Sequence, residues 1–144
     1  MEVLIGCDHA GYDMKMQLLN SDLFSDVSVE DMGTHSSESM DYPDAIHPLA
    51  SIINSDRSKR GIILCGSGNG VSMTANKYPK VRAALCWNEE IALMARKHND
   101  SNILSIPARY ITLEEAKKCV AAFLNTDFEG GRHQRRVEKI SKVC

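Results

Sequence analysis

The sequence predicts an α/β fold, a parallel sheet with helices on both faces, built as one domain. Three observations predict it. Short apolar runs alternate with amphipathic segments along the chain, and parallel strands need a helical crossover between them. Residues 61–77, GIILCGSGNGVSMTANK, set a buried-strand run against a glycine loop and then a helical pattern. The 144 residues hold no internal repeat, low-complexity tract or linker, and that length suffices for a single hydrophobic core.

Each element has its own signal. Residues 3–5 form a first apolar strand, and 10–24 read as a helix with Met14, Leu18 and Leu19 on one side. Residues 27–29 give a weak second strand. Asp41-Tyr42-Pro43 opens a helix, since proline suits a first turn; its apolar face is Ala45, Ile46, Leu49, Ile52 and Ile53. Residues 62–64 make the third strand, 82–86 the fourth and 102–105 the fifth. After the third strand a helix runs over 71–76, and 88–97 form another with Ile91, Ala92 and Ala95 inward. Thr112 with Glu115 three residues on predicts a capping box, ahead of a stripe of Ala116, Val120 and Phe123.

Composition excludes several classes of function. The net charge of −2 offers no broad basic surface for nucleic acid or an anionic membrane. No apolar run approaches the ~20 residues needed to span a bilayer. The opening MEVLIGCDH lacks a basic leader and a long apolar run, so no signal peptide is expected. The five cysteines, Cys7, Cys65, Cys86, Cys119 and Cys144, are odd in number and lack CxxC spacing. They predict free thiols in a reducing, cytoplasmic setting and argue against zinc.

Chemistry concentrates after the strands, where parallel sheets bind their ligands. Gly66-Ser67-Gly68-Asn69-Gly70 can turn bare N–H groups toward an anion at a helix start. Glycine also serves strand-to-helix turns for geometry alone, and buried cysteine is common. The loop has neither G-x-G-x-x-G spacing nor the Gly-Lys-Ser/Thr of a nucleotide loop, so a small oxyanion is the expected ligand. Cys65 at its mouth is a candidate base or nucleophile. Asp8 and His9 follow the first strand, Pro107 and Arg109 the fifth, and His98 and Asn99 end the helix before it. Two histidines, a carboxylate and a thiol are therefore expected to converge on one rim. His35 and His47 lack such a setting and are read as structural or solvent-exposed. Arg132 and Arg136 are spaced i, i+4 in GGRHQRR, which suits a phosphate dianion if they share a helix face; a solvated basic helix balanced by Glu129 and Glu138 is the other reading.

The segments GCDHAGY at 6–12, DYPDAIH at 41–47, CGSGNGVSMTANK at 65–77, RAALCW at 82–87, ARKHNDSNIL at 95–104 and GGRHQRRV at 130–137 resemble the type B ribose-5-phosphate isomerases. These belong to the wider family that includes the galactose-6-phosphate isomerase subunits. The likeness runs in order through essentially the whole chain. It implies a Rossmann-like three-layer αβα sandwich with a five-stranded parallel sheet over 1–144. It also implies a C-terminal helix at about 130–142 carrying phosphate-binding arginines. A homodimer with active sites shared between subunits, or a tetramer, is implied too, with no metal and no organic cofactor. By position, Cys65 matches the proton-abstracting base and His98 the group that opens the sugar ring. Asp8, His9, Gly66, Ser67, Gly68, Asn69, Gly70, Asn99, Arg109, Arg132 and Arg136 match substrate-binding positions. His98, Asn99 and Arg109 are implied to reach a site whose Cys65 is on the other subunit. Some members carry a glutamate just after the loop instead of this cysteine; Val71 stands there, so the chain fits the cysteine branch. Ser67 replaces a threonine and keeps the hydroxyl.

The implied reaction interconverts ribose 5-phosphate and ribulose 5-phosphate, in the non-oxidative pentose phosphate pathway. It needs a base at C2, donors for an enediolate oxygen, an acid/base for ring opening and a phosphate anchor. Cys65, the loop N–H groups with Ser67, His98, and Arg132 with Arg136 fill these roles. An ordinary thiol of pKa ~8.5 is only a few per cent thiolate at pH 7, and lowering such a pKa by about two takes ~2.7 kcal/mol. A helix start supplies ~0.3–2 kcal/mol, so donors in the loop must add the rest. Two other readings stay open: a hexose-6-phosphate isomerase acting on allose or galactose 6-phosphate, and a non-catalytic phosphosugar-binding module.

Overall fold

In the computed structural model, which describes residues 1–142, five strands form one parallel sheet in the order β2-β1-β3-β5-β4. The strands are β1 (Glu2–Cys7), β2 (Ser28–Asp31), β3 (Arg60–Cys65), β4 (Ala83–Leu85) and β5 (Ile103–Pro107). Successive side chains point to opposite faces, and the core divides accordingly. Val3, Ile5, Ile62, Leu64, Leu104 and Ile106 pack on one side, with Leu18 of α1 (Tyr12–Leu19), Ala92 of α4 (Glu89–Asn99) and Phe123 of α5 (Leu113–Asn125). Leu4, Ile63, Cys65 and Ile103 face the other side, against α2 (Tyr42–Ser55) and α3 (Asn69–Ala75). This is the expected three-layer sandwich. Buried on both faces, β1 and β3 read as apolar runs rather than alternating ones. A last helix, α6 (Arg132–Ile140), packs near the end of α4.

Several boundaries differ from the sequence reading for identifiable reasons. The helix expected over 10–24 is broken into a 3₁₀ turn at His9–Gly11, α1, and a second 3₁₀ turn at Asp22–Phe24. Ser21 makes the second break: its hydroxyl donates to Leu18 O at 2.6 Å and accepts from Leu23 N at 3.5 Å. The helix after the glycine loop begins at Asn69, inside the loop, because Gly68 adopts φ +75° as its cap. The capping box of α5 is half formed. Thr112 Oγ1 accepts from Glu115 N at 3.2 Å, but the Glu115 carboxylate accepts instead from Glu89 N at 2.9 Å, tying the starts of α5 and α4 together. Two long cations are buried. Lys15 Nζ reaches Asp31 Oδ1 at 2.5 Å and Thr34 O at 2.6 Å, while Arg96 holds Asp100, Ser101 O and Thr126 O.

Strand order decides where the site lies. From β1 the chain crosses to β2 on one side, and β3 pairs on the other side of β1. The connections leaving β1 and β3 therefore diverge and open a crevice at the carboxyl edge. Helices run back against the strands, so α2 and α3 begin at that edge and α4 ends at the opposite one. No helix among the described residues is long and apolar enough to cross a membrane. Cys7, Cys65, Cys86 and Cys119 are buried free thiols; Cys144 lies outside the described residues.

Candidate active site

The crevice between the ends of β1 and β3 is a cleft of about 300 Å³. Larger cavities of about 530 and 660 Å³ lie at the amino edge around Pro79 and Arg82, and neither is lined by the thiol. Cys65, the last residue of β3, is 5% exposed and lines the smaller cleft. Its Sγ accepts a hydrogen bond from Gly68 N at 3.0 Å. Helix α3 has only two turns, so this direct donor, rather than a long helix dipole, is the clearest electrostatic support for negative charge on sulfur. The donor's position depends on Gly68. A Cβ there would strike Leu85 Cδ1, and Gly68 O accepts from the buried Ser105 hydroxyl at 2.8 Å.

The rest of the cleft follows from the same edge. Asp8 is buried, and its Oδ1 caps the turn after β1, accepting from Ala10 N at 2.9 Å and Gly11 N at 3.1 Å. Gly11 is required because a Cβ would lie 2.7 Å from Leu64 Cβ. Met40 N donates to His9 Nδ1 at 3.2 Å; the neutral ring therefore carries its proton on Nε2 and offers a donor there. Arg109 N donates to Gly66 O at 3.0 Å, and the Arg109 side chain lies against Gly66, where a Cβ would be 3.2 Å from Nη1. Ser67 Oγ accepts from Asn69 N at 3.3 Å, and Asn69 is exposed on the loop.

Tyr42 and Tyr110 also line the cleft and were absent from the sequence expectations. Tyr42 is the first residue of α2, and helix starts share the rim with strand ends, so the rule that singled out Cys65 also reaches Tyr42. Its ring occupies the space a Cβ on Gly70 would need, at 2.6 Å from Cζ. His35 is exposed, and His47 Nδ1 lies 3.0 Å from Tyr78 Oη on the surface, away from the cleft as expected.

The expected convergence on one rim is not what the fold makes. His98 and Asn99 end α4, at the amino edge. Arg82, just before β4, donates through Nε to Asn99 O at 3.1 Å, and Asn102, just before β5, accepts from Gly61 N at 2.9 Å. A six-residue strand such as β3 spans roughly 17–20 Å, which separates His98 from Cys65 within one chain. The sequence reading erred on polarity: a helix that precedes a parallel strand must end where that strand begins. Arg109 is also regrouped. It lines the cleft of its own chain's Cys65 rather than sitting with His98 and Asn99.

Around His98 a second cluster forms. The His98 and His133 rings stack with centroids 4.2 Å apart and planes 13° from parallel. Glu129 Oε2 lies 3.9 Å from Nε2 of each ring. Arg132 and Arg136 are exposed on α6 beside them. Burial, then the His98 ring and the two guanidiniums, lower the His133 pKa, and Glu129 opposes them. His98, Glu129 and His133 offer three ligand atoms within 4.8 Å of one another. Near-parallel stacked rings, however, hold their in-plane lone pairs in two nearly parallel planes, so one ion cannot sit in the plane of both. The arrangement does not fit a metal ion.

The sequence pattern of the Ribose/Galactose Isomerase family matches residues 3–140. The chain is 39% identical over 142 residues to ribose-5-phosphate isomerase B of Escherichia coli, covering 99% of this chain and 95% of that one. The fold superposes on a ribose 5-phosphate isomerase of Thermotoga maritima with a TM-score of 0.94 at 45% identity, over 99% of this chain and 98% of that one. It also superposes on ribose-5-phosphate isomerase B of Mycoplasma genitalium with bound ribulose-5-phosphate, with a TM-score of 0.93 at 37% identity, over 97% and 93% of the two chains. With a five-stranded parallel sheet, a thiol-bearing glycine loop at its carboxyl edge and this likeness from end to end, the chain belongs to the ribose/galactose isomerase family.

Proposed function

We propose that this chain interconverts D-ribose 5-phosphate and D-ribulose 5-phosphate through a cis-enediolate, as a step of non-oxidative pentose phosphate metabolism in a reducing cytoplasm. The observation that carries the reading is the Cys65 thiol on the cleft wall with Gly68 N–H on its sulfur. Family membership and the relatives' activities support it. In the forward direction the Cys65 thiolate takes the proton from C2 and becomes a thiol. The C–H electron pair forms the C1–C2 double bond, and the former aldehyde oxygen takes the charge. A proton then passes from the C2 hydroxyl to that oxygen, and the C2 carbonyl forms. The double-bond pair takes the Cys65 proton back at C1, which leaves the ketose and regenerates the thiolate. Backbone N–H groups of 66–70 with the Ser67 hydroxyl stabilise the enediolate oxygen, and Asp8 and His9 hold sugar hydroxyls. His98 acts in ring opening, Asn99 binds the sugar, and Arg109, Arg132 and Arg136 anchor the phosphate.

Since Cys65 and His98 belong to opposite sheet edges, a site containing both needs two copies of the chain. A homodimer in which the His98, Asn99, Arg132 and Arg136 cluster of one protomer closes the Cys65 cleft of its partner satisfies this, and a tetramer of such dimers would too. The reading is tested by assaying the purified chain with ribose 5-phosphate and with allose and galactose 6-phosphates. Turnover of the pentose phosphate with little on the hexoses supports it. Preference for a hexose phosphate would move the chain to the hexose branch. Binding without turnover of any of them would leave a phosphosugar-binding module.

A further inference from the structure

Glu129 and His133 have no part in the mechanism so far, yet the structure packs both against His98. Glu129 N donates to Lys97 O at 3.1 Å, which fixes its backbone to the last turn of α4. Its carboxylate lies 3.9 Å from Nε2 of His98 and of His133 alike. His133 is buried on the first turn of α6, and its ring lies flat on the His98 ring at 4.2 Å and 13°. The half-exposed His98 ring thus has one face covered by a fixed neighbour and its outer nitrogen beside a carboxylate.

The geometry points to Glu129 and His133 as positioning residues for His98: the stack fixes the ring's plane, and the carboxylate stands beside its Nε2 as a counter-charge. Two charged imidazoles at this separation repel, which adds to the cost of charging the buried His133. The positive groups facing it are Lys97 on α4 and Arg132 and Arg136 on α6, and Glu129 supplies the opposing charge. Burial and these neighbours disfavour the charged form of His133, so an uncharged ring backs the more exposed His98. That suits ring opening, in which the C1–O4 bond breaks as O4 takes a proton from His98. The C1 hydroxyl then gives its proton back to the imidazole and becomes the aldehyde, so the proton count is unchanged.

This rests on the ring-opening role proposed above for His98, and the test separates the two. Glu129→Gln, His133→Phe and His98→Asn are each assayed with ribose 5-phosphate across pH, alone and with each of the first two combined with His98→Asn. Glu129→Gln and His133→Phe should each lower kcat by about tenfold, part of the ~10²–10⁴ that general acid–base catalysis contributes, with KM changed less. In Glu129→Gln the basic limb of the kcat profile should move to lower pH, because the charged imidazole has lost its counter-charge. Glu129→Asp should move it back. Neither substitution should lower activity further once His98 is Asn. If Glu129→Gln or His133→Phe costs the same factor with and without His98, that residue does not act through His98 and the inference is overturned. An unmoved basic limb overturns the carboxylate's part in it. If His98→Asn alone keeps near wild-type turnover, the ring-opening role itself fails.

Discussion

At the scale of single residues, the thiol and its donor are the most exacting pair. Cys65→Ala should lower turnover by more than ~10²-fold and abolish solvent exchange of the C2 proton, while ribose 5-phosphate binding measured by calorimetry survives. A variant that kept a tenth of wild-type turnover would remove Cys65 from the role of base. Gly68→Ala tests the donor. Left-handed backbone costs a side-chain-bearing residue ~1–2 kcal/mol, and the contact with Leu85 adds an overpacking cost of ~1–3 kcal/mol. The expected loss is roughly 2–5 kcal/mol in a urea melt, with turnover reduced in the protein that remains folded because Gly68 N–H no longer meets the sulfur. These two residues were legible in sequence as a cysteine at the mouth of a glycine loop. The hydrogen bond between them was not, since it depends on the φ of one residue.

Element α6 carries two separate consequences. Its buried His133 has a pKa lowered from the ordinary 6.5, mainly by burial. Between 6.5 and the lower folded value, the unfolded chain binds a proton that the native state does not, so stability falls as pH drops through this window. His133→Phe, which has nothing to titrate, should show a shallower loss of the urea midpoint between pH 7.5 and 5.5. An identical slope would deny His133 that contribution. On the exposed face of the same helix, Arg136→Ala should raise KM for ribose 5-phosphate by about tenfold or more, since a charge-assisted hydrogen bond is worth ~1.5–3 kcal/mol. An unchanged KM would assign Arg136 to the solvated face instead. The i, i+4 spacing of the arginines was readable in GGRHQRR. That the histidine between them turns inward onto His98 was not, because α6 presents many polar residues and its buried one is chosen by the neighbour it meets.

For the whole molecule, the separation of Cys65 from His98 across the sheet makes a strong demand. If each site draws its thiol from one protomer and its histidine from the other, inactive Cys65→Ala and inactive His98→Asn proteins should complement. Random re-pairing leaves about half the molecules as mixed dimers, each with one intact site and one doubly altered site, so roughly a quarter of wild-type activity should return. Subunit exchange demonstrated by mass spectrometry without recovered activity would refute the shared site. The regrouping of Arg109 sharpens this. Arg109 lies beside its own chain's Cys65, so an inactive Arg109→Ala protein should not complement the Cys65→Ala protein, since every mixed site then carries one of the two lesions. With His98→Asn it should restore roughly a quarter of wild-type activity, since each mixed dimer keeps one intact site.

The sequence by itself determined the parallel sheet, the helices on both its faces, the glycine loop with its thiol and the family. Apolar period, turn residues and short motifs are set within a few positions of one another and can be read in order. Only the tertiary structure decided which edge each functional residue occupies. That choice follows from strand order and helix direction, and it took His98 and Asn99 away from Cys65 while drawing Tyr42 and Tyr110 to it. It also buried Lys15 and Arg96. The i, i+4 pairing of Arg96 with Asp100 is local, but Lys15 found Asp31, and Arg96 found Thr126 O, only once distant segments had packed together. Contacts of this kind depend on long-range pairing, which no local stretch of the chain encodes.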